Sequence, residues 1–300
     1  MAITASMVKE LREMTGAGMM DCKKALTETN GDMDAAVEFL RKNGQAKAEK
    51  KAGRIAAEGL VRIAMDGDNT AAIVEVNSET DFVAKNETFQ QYVEAVAAQA
   101  VASDAADMDA FMAETWNADS SKTVKDALVE KIAVIGENLN IRRFQKETQE
   151  NGCIVSYIHG GGRIGVLVKA ETAVVNDAVK EALTNVAMQV AALAPKYVSS
   201  EDVSEEYKEH EKSILLAQAK NENPDKPENI IEKMIIGRLN KELKEVCLTE
   251  QVYVKAENKE TVAKYVESVA KAVGCNLTLK SFVRFETGEG LEKKEEDFAA

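Results

Sequence analysis

The feature that most constrains the fold of this chain is a weak internal repeat, in which strand, turn, strand and amphipathic helix follow one another twice. In the first copy, the strands Gly59–Met65 and Thr70–Val76 are joined by the turn Asp66–Asn69. Alternating apolar residues around a turn rich in Gly and Asp are typical of a β-hairpin. The helix that follows is predicted to bury one apolar face: Phe89, Tyr92, Val93, Val96 and Ala97.

The second copy has the strands Gly152–His159 and Ile164–Ala170, joined by a turn of three glycines and Arg163. Its helix ends before Pro195 and carries the apolar face Val179, Leu183, Val186, Val190 and Leu193. Each copy is closed by a further strand, Ile141–Phe144 in the first and Ser281–Phe285 in the second. Two hairpin-plus-helix units with closing strands predict an α+β core of two related subdomains.

Two helical regions flank or interrupt this core. Residues 1–44 favour three short helices, the third beginning after Asp32 and ending at Asn43–Gly44. Ser204–Glu222 and Pro227–Val246 favour an antiparallel helical hairpin inserted into the second copy. Its predicted apolar seam places one set of side chains against another: Ile231, Ile235, Leu239, Leu243 and Val246 against Ile214, Leu215 and Ala219.

The predicted fold class is therefore α+β, with a three-helix amino-terminal module, a two-subdomain core and an inserted helical hairpin. An amphipathic helix that ends at Gly136–Asn138 lies between the two core copies. The predicted boundaries are 1–44 for the module, 45–57 for a linker, 58–148 for the first subdomain, 149–203 with 247–290 for the second, 204–246 for the hairpin and 291–300 for a carboxyl-terminal tail.

Composition bears on nucleic-acid binding and on the compartment in which the protein is expected. The 300 residues include 38 basic and 51 acidic side chains, a net charge of −13, which argues against a broad nucleic-acid footprint. The four cysteines are far apart and include no Cys-x-x-Cys pair, so a reducing cytoplasm is expected. The amino terminus lacks a secretory pattern, and no apolar run approaches the roughly 20 residues of a membrane span.

The chemical motifs do not predict an enzyme. Gly160–Gly165 matches G-x-G-x-x-G, but a strand follows it where a dinucleotide site requires a helix, and no P-loop pattern occurs. The turn Asp66–Asn69 lacks the Gly and Glu that a calcium loop requires at later positions. His159 and His210 share no cluster of further ligands for zinc. We therefore expect no catalytic residues, no metal and no cofactor.

The stretch Val74–Val83 is the candidate binding site. It is predicted to be the end of a strand followed by a polar turn and by Thr80–Val83, just before a helix that begins near Asn86. In one interpretation, Phe82 folds back onto this helix as a hydrophobic staple and Asp81 caps it. In the other, both side chains lie on an exposed connection and bind a partner. The local chemistry leaves both interpretations open.

Over nearly its full length the sequence resembles the bacterial elongation factor Ts family. The matching segments are Met7–Arg12, Thr15–Leu26, Glu75–Ala84, Ile135–Asn138, Tyr157–Gly160, Arg163–Leu167 and Arg284–Gly290. The resemblance implies an exchange factor, without chemical catalysis of its own, that binds elongation factor Tu and promotes release of GDP. It also implies a cytoplasmic protein without direct nucleic-acid or membrane binding, and a homodimer or a 2:2 complex with Tu.

The resemblance further implies roles for individual residues. The stretch Thr80, Asp81, Phe82 and Val83 would disturb the magnesium site of elongation factor Tu, with the Phe82 ring inserted between helices of its GTPase domain. The other implied partner contacts are Met19, Met20, Ile135, Gly136 and His159. Two alternatives remain: an adaptor whose amino-terminal bundle resembles ubiquitin-associated domains, and a nucleotide-using enzyme built on the Gly160–Gly165 turn.

Overall fold

Two three-stranded antiparallel sheets lie at the centre of the computed structural model, which describes residues 3–292. The first sheet has the order β1-β2-β3 and the second has the order β4-β5-β6. Their strands are β1 (Glu58–Asp66), β2 (Thr70–Ser78), β3 (Asn140–Thr148), β4 (Gly152–His159), β5 (Ile164–Thr172) and β6 (Leu277–Glu286). Both predicted hairpins and both predicted closing strands are confirmed, and the α+β class with them.

The helices surround these sheets. They are α1 (Ala5–Thr15), α2 (Met19–Glu28), α3 (Met33–Lys51), α4 (Asp81–Ala84), α5 (Glu87–Ala102), α6 (Met108–Ala113), α7 (Val124–Ile135), α8 (Asp177–Leu193), α9 (Glu205–Glu222), α10 (Glu228–Val246) and α11 (Val262–Val273). The helix α11 was not predicted, and it completes the repeat. In the second copy, α11 lies between α8 and β6. In the first copy, α7 has the corresponding place between α5 and β3.

The two sheets pack face to face, with helices on their outer faces. Successive side chains along β1 and β2 lie on opposite faces of the sheet. Leu60 and Val74 pack in the core with α5 and α7, whereas Val61 and Ile73 pack against the second sheet. The inner core between the sheets is completed from the second copy by Ile154, Leu167, Val283 and Phe285. A third core lies between the second sheet and its helices α8 and α11. The central domain therefore has four layers: helix, sheet, sheet, helix.

Backbone hydrogen bonds relate the two copies by an approximate two-fold symmetry. The N–H of Val61 in β1 donates to the carbonyl of Gly162 in the β4–β5 turn, at 2.7 Å. Reciprocally, the N–H of Ile154 in β4 donates to the carbonyl of Asp68 in the β1–β2 turn, also at 2.7 Å. Each hairpin turn is therefore held by the first strand of the other copy, which fixes how the sheets lie against each other.

The amino-terminal module contains the three predicted helices, but α3 does not end at Asn43–Gly44. It begins after Asp32, whose carboxylate accepts from the N–H of Ala35 at 2.9 Å, and it continues to Lys51. Gly44 is buried against α7, where an added Cβ would contact Ala133 at 3.6 Å. This glycine therefore permits a close helix–helix approach rather than ending the helix, and half of the predicted linker 45–57 is helical.

The inserted hairpin of α9 and α10 has the predicted seam of buried side chains, Ile231, Ile235, Leu239 and Leu243, packed against Leu215 and Ala219. Two assignments to buried faces are wrong. Ile214 is 38% exposed, and Leu193, at the last position of α8, is 47% exposed. Helical spacing indicates the direction of a side chain around the axis, but it does not show where the opposing surface ends.

The predicted domain boundaries remain predictions. The first two residues of the 1–44 module and residues 293–300 of the predicted tail lie outside the described part of the chain. Within residues 3–292, no helix combines the length and the apolar character that crossing a membrane requires.

Candidate functional site

The Thr80–Val83 stretch forms a one-turn helix, α4, between β2 and α5. Thr80 caps its amino end, and the Thr80 hydroxyl oxygen accepts from the N–H of Val83 at 3.4 Å. At its carboxyl end, the side chain of Asn86 accepts from the N–H of Thr88 at 2.9 Å and starts α5. The candidate site is therefore a short capped helical turn rather than an irregular loop.

Phe82 is 80% exposed, so its ring does not staple α5. The neighbouring Val83 and Ala84 are the side chains that pack on the first core. Asp81 is not the cap; its carboxylate accepts from the Lys85 ammonium at 2.6 Å. This hydrogen bond holds the pKa of Asp81 below its ordinary value. The capping interpretation is therefore wrong for both residues, and α4 presents an aromatic ring and a carboxylate to solvent.

Two glutamates hold α4 against the end of α7. The carboxylate of Glu137 accepts from the N–H groups of Glu79 and Thr80, at 3.0 and 3.1 Å, and from the Thr80 hydroxyl at 2.7 Å. In return, the carboxylate of Glu79 accepts from the N–H of Asn138 at 2.7 Å and from the Arg54 guanidinium at 3.3 Å. We refer to this reciprocal pair, Glu79 and Glu137, as the glutamate pair.

The last turn of α7 brings the predicted residues Ile135 and Gly136 close to α4. Ile135 is partly buried against the first core, whereas Gly136 is exposed. Gly136 has a φ of 88°, and its N–H donates to the carbonyl of Ile132 at 2.9 Å. Such a left-handed cap, which glycine adopts readily, ends the helix and turns the chain towards β3. Glu137 follows this turn and thereby reaches Thr80.

A buried carboxylate joins the strand that leads to α4 with β3 and with the segment that follows β6. Glu75 in β2 is fully buried and accepts hydrogen bonds from Arg142, Arg143, Asn77 and the N–H of Gly288, the shortest being 2.6 Å from Arg143. Burial raises the pKa of Glu75, but Gly288, Asn77 and Arg143 outweigh it, so the net pKa is lowered. The sequence signal was an acidic residue between Val74 and Val76 in an otherwise apolar strand.

The other predicted contact residues lie on separate elements. Met19 and Met20 open α2 and are 59% and 75% exposed. His159 ends β4 and is exposed, and its Nδ1 lies 3.0 Å from the Tyr157 hydroxyl. The structure thus brings Thr80–Val83 together with Ile135–Gly136, and it leaves the methionine pair and the histidine at other positions on the surface.

The remaining motifs form no chemical site in the described residues. The Gly160–Gly165 turn runs directly into β5 at Ile164, so it offers no helix amino terminus to a pyrophosphate. In residues 3–292, no cluster of His, Cys, Asp or Glu has the arrangement of a metal site. Cys22, Cys153 and Cys247 are buried free thiols, and Cys275 is partly exposed.

Known proteins resemble this chain along nearly its whole length. The family model described as "Elongation factor TS" matches residues 79–289. The elongation factor Ts of Clostridium novyi (strain NT) is 54% identical over 298 residues, 99% of this chain and 96% of that protein. Those of Clostridioides difficile (strain 630) and Trichlorobacter lovleyi are 55% and 51% identical, covering 99% and 100% of this chain and 96% and 97% of those proteins.

The matched family region begins at Glu79 and therefore includes α4, the glutamate pair and both sheets except for β1 and β2. The relatives extend the similarity through the amino-terminal module. An identity above 50% over nearly the full length leaves the fold and the family without ambiguity. This chain therefore belongs to the elongation factor Ts family, whose members are elongation factors of protein biosynthesis.

Proposed function

We propose that the protein is a guanine-nucleotide exchange factor that binds elongation factor Tu, disturbs its magnesium and phosphate site, and thereby promotes release of GDP and reloading with GTP. Membership of the elongation factor Ts family supports the class of function. The observation that carries the mechanism is Phe82, an 80% exposed aromatic ring on a turn that two caps and the glutamate pair hold in place.

An exposed aromatic ring on a fixed support suits insertion into a partner. Burying one Phe side chain contributes about 1.5–3 kcal/mol, and the free protein does not use this contribution because the ring faces solvent. If the ring binds best to a Tu conformation that holds GDP weakly, reciprocity requires that GDP and this protein weaken each other's binding by the same factor. A coupling of roughly 4 kcal/mol would correspond to about a thousandfold change in affinity.

Within this proposal, Asp81 and Val83 flank the ring, and Thr80 fixes the start of the turn. The Asp81 carboxylate is exposed beside the ring and paired only with the exposed Lys85 among the described residues. It can therefore change partners when a charged site approaches, at little cost, because exposed ion pairs are weak. Val83 packs on the first core and anchors the turn from below.

The remaining proposed contacts would supply binding that does not depend on Phe82. Met19 and Met20 offer soft, adaptable apolar surface at the start of α2. Ile135 and Gly136 border α4, and His159 offers an exposed imidazole at the end of β4. Separate contacts of this kind would hold the two proteins together while the ring acts on the nucleotide site.

The proposal includes no chemical catalysis by the protein itself, no cofactor and no direct contact with nucleic acid. Its compartment would be the cytoplasm, where translation elongation takes place. Its assembly would be a homodimer or a 2:2 complex with elongation factor Tu.

The deciding experiment measures release of fluorescent GDP from active elongation factor Tu of the same organism, with and without this protein. We expect the release rate to increase with the concentration of the protein until it saturates. An unchanged rate, in the presence of demonstrated binding between the two proteins, would contradict exchange. Binding of GDP by the isolated protein would instead favour an enzyme that uses nucleotides directly.

A further inference from the structure

We infer that Glu137 is a positioning residue for nucleotide exchange: its carboxylate fixes the start of α4 and so determines where Phe82 is presented. This inference rests on the proposed function, and it assigns a role to a residue that contacts neither the nucleotide nor the ring.

The first argument is that α4 is too short to be stable by itself. It contains four residues, a single helical turn, and isolated helices of this length do not persist in water. Phe82, its largest side chain, is 80% exposed and gives the turn little support. The turn therefore depends on Val83 and Ala84, which pack on the first core, and on the hydrogen bonds that Thr80 and Glu79 make with Glu137.

The second argument is the directional nature of those hydrogen bonds. Three donors converge on one carboxylate: two successive N–H groups and the Thr80 hydroxyl, at 2.7–3.1 Å. Hydrogen bonds to an ionised acceptor are shorter and stronger than those between neutral groups. With two adjacent peptide groups and one side chain held, the chain direction entering α4 is fixed, and the direction of Phe82 follows from it.

The third argument comes from the second copy of the repeat, which serves as an internal comparison. There, α11 ends at Gly274 in the same left-handed conformation as Gly136, and the next residue is Cys275 instead of a glutamate. The Cys275 thiol lies 3.3 Å from the hydroxyl of Thr172, the last residue of β5. The junction between helix and closing strand thus forms without a carboxylate.

The second copy also lacks the extra turn. The hydroxyl of Ser78 at the end of β2 donates to the carbonyl two residues later, and the hydroxyl of Thr172 at the end of β5 does the same. After this shared point, Asn176 caps α8 directly, whereas the first copy forms α4 before Asn86 caps α5. The glutamate therefore occurs in the copy that contains α4. This is expected of a residue that supports α4, because the junction between helix and closing strand forms in the second copy without a glutamate.

The test compares two variants, Glu137→Gln and Glu130→Gln. Glu130 lies on α7, and its carboxylate pairs with Lys122 rather than with α4, so it is the matched control. For GDP exchange on elongation factor Tu, we expect kcat of the Glu137 variant to fall about tenfold, equivalent to about 1.4 kcal/mol, with KM changed less than twofold. The Glu130 variant should match the parent. In a Phe82→Ala background, Glu137→Gln should cause no further loss, because it acts through the ring.

A readout on the free protein separates this inference from the proposed function. Amide hydrogen exchange at Glu79 and Thr80 should accelerate in Glu137→Gln, while the amides of α7 remain protected. Glu137→Cys, which copies the second repeat, is a second variant expected to fold and to lose exchange activity similarly. Normal exchange kinetics in folded Glu137 variants, or additive losses with Phe82→Ala, would overturn the inference; a parent protein without exchange activity would overturn the proposed function instead.

Discussion

The side-chain amides of Gln99 and Gln189 form the same clamp in the two halves of the molecule. Each is buried in the central helix of its copy, α5 or α8, and each holds an extended loop, 115–117 or 252–254. The amide nitrogen donates to the carbonyl of the first loop residue, and the amide oxygen accepts at 2.8 Å from the N–H of the third. The two copies of the internal repeat therefore share this buried glutamine and its hydrogen bonds as well as their helices and strands.

Replacing either glutamine with leucine should destabilise the protein. The change removes both hydrogen bonds through which the buried amide holds its loop, and loss of either clamp should cost about 1–3 kcal/mol. Urea unfolding of Gln99→Leu and Gln189→Leu measures this loss. Gln91→Leu, at an exposed position of α5, is the matched control and should change the unfolding free energy little. Equal effects at all three positions would contradict the clamp.

Phe82→Ala should impair exchange and leave stability unchanged. An 80% exposed ring contributes little to folding, so the unfolding free energy should change by less than about 0.5 kcal/mol. Loss of about 1.5–3 kcal/mol of burial in the complex should slow GDP release by about 10- to 100-fold. Stopped-flow release from elongation factor Tu and thermal unfolding measure the two quantities.

The control for Phe82 is Leu193→Ala, which removes another exposed apolar side chain, at the last position of α8, where it is 47% exposed. Its exchange rate should equal that of the parent. A large fall in thermal stability of Phe82→Ala, with normal exchange by the folded fraction, would show that the ring supports the fold instead of binding a partner.

Glu75→Gln should destabilise the protein by about 3 kcal/mol at neutral pH, because it leaves Arg142 and Arg143 without their buried counter-charge. Because the net pKa of Glu75 in the folded protein lies below its ordinary value of 4.5, the unfolded chain binds more protons below that pH. The stabilisation is therefore fully present above about pH 4.5 and is lost as the pH falls through the lowered value.

Urea unfolding of the parent and of Glu75→Gln across pH 3–7 tests this prediction. The difference in unfolding free energy should stay constant from about pH 7 to 5 and should narrow below pH 4.5. Glu257→Gln, at an exposed position, controls for the loss of one charge. A difference that widens as the pH falls would mean that the pKa of Glu75 is raised instead.

Two glycines should respond to alanine with opposite signs. At Gly165 in β5, an added Cβ would lie 2.5 Å from the Val61 methyl group of the facing sheet, so Gly165→Ala should cost about 1–3 kcal/mol. At Gly237, on the exposed side of α10, no atom lies within 4 Å of the added Cβ. Gly237→Ala should therefore stabilise the helix by about 0.5–1 kcal/mol. Equal signs in chemical denaturation would contradict the close packing of the sheets.

The sequence predicted those elements whose pattern is local. Alternation and turn residues defined both hairpins, and helical spacing identified the buried faces of α5 and of the inserted hairpin, because each signal lies within a single element. The resemblance supplied the family. Thr80, Asp81, Phe82 and Val83 were found as a candidate site, but the local residues alone could not decide whether Phe82 packs back or faces solvent.

Only the tertiary structure showed the contacts between residues that are distant in sequence. Gly44 looked like the end of a helix, and it lies inside α3 because α7 packs against it. Glu75 is an acidic residue in an apolar strand; two arginines of β3 neutralise its charge, and a backbone N–H from the far end of the chain donates a hydrogen bond to it. Glu137 was part of a recognised motif, but its hydrogen bond with Thr80 forms only once folding brings the end of α7 close to the end of β2. Sequence patterns report the environment along one element, whereas a hydrogen bond between elements depends on where folding brings them.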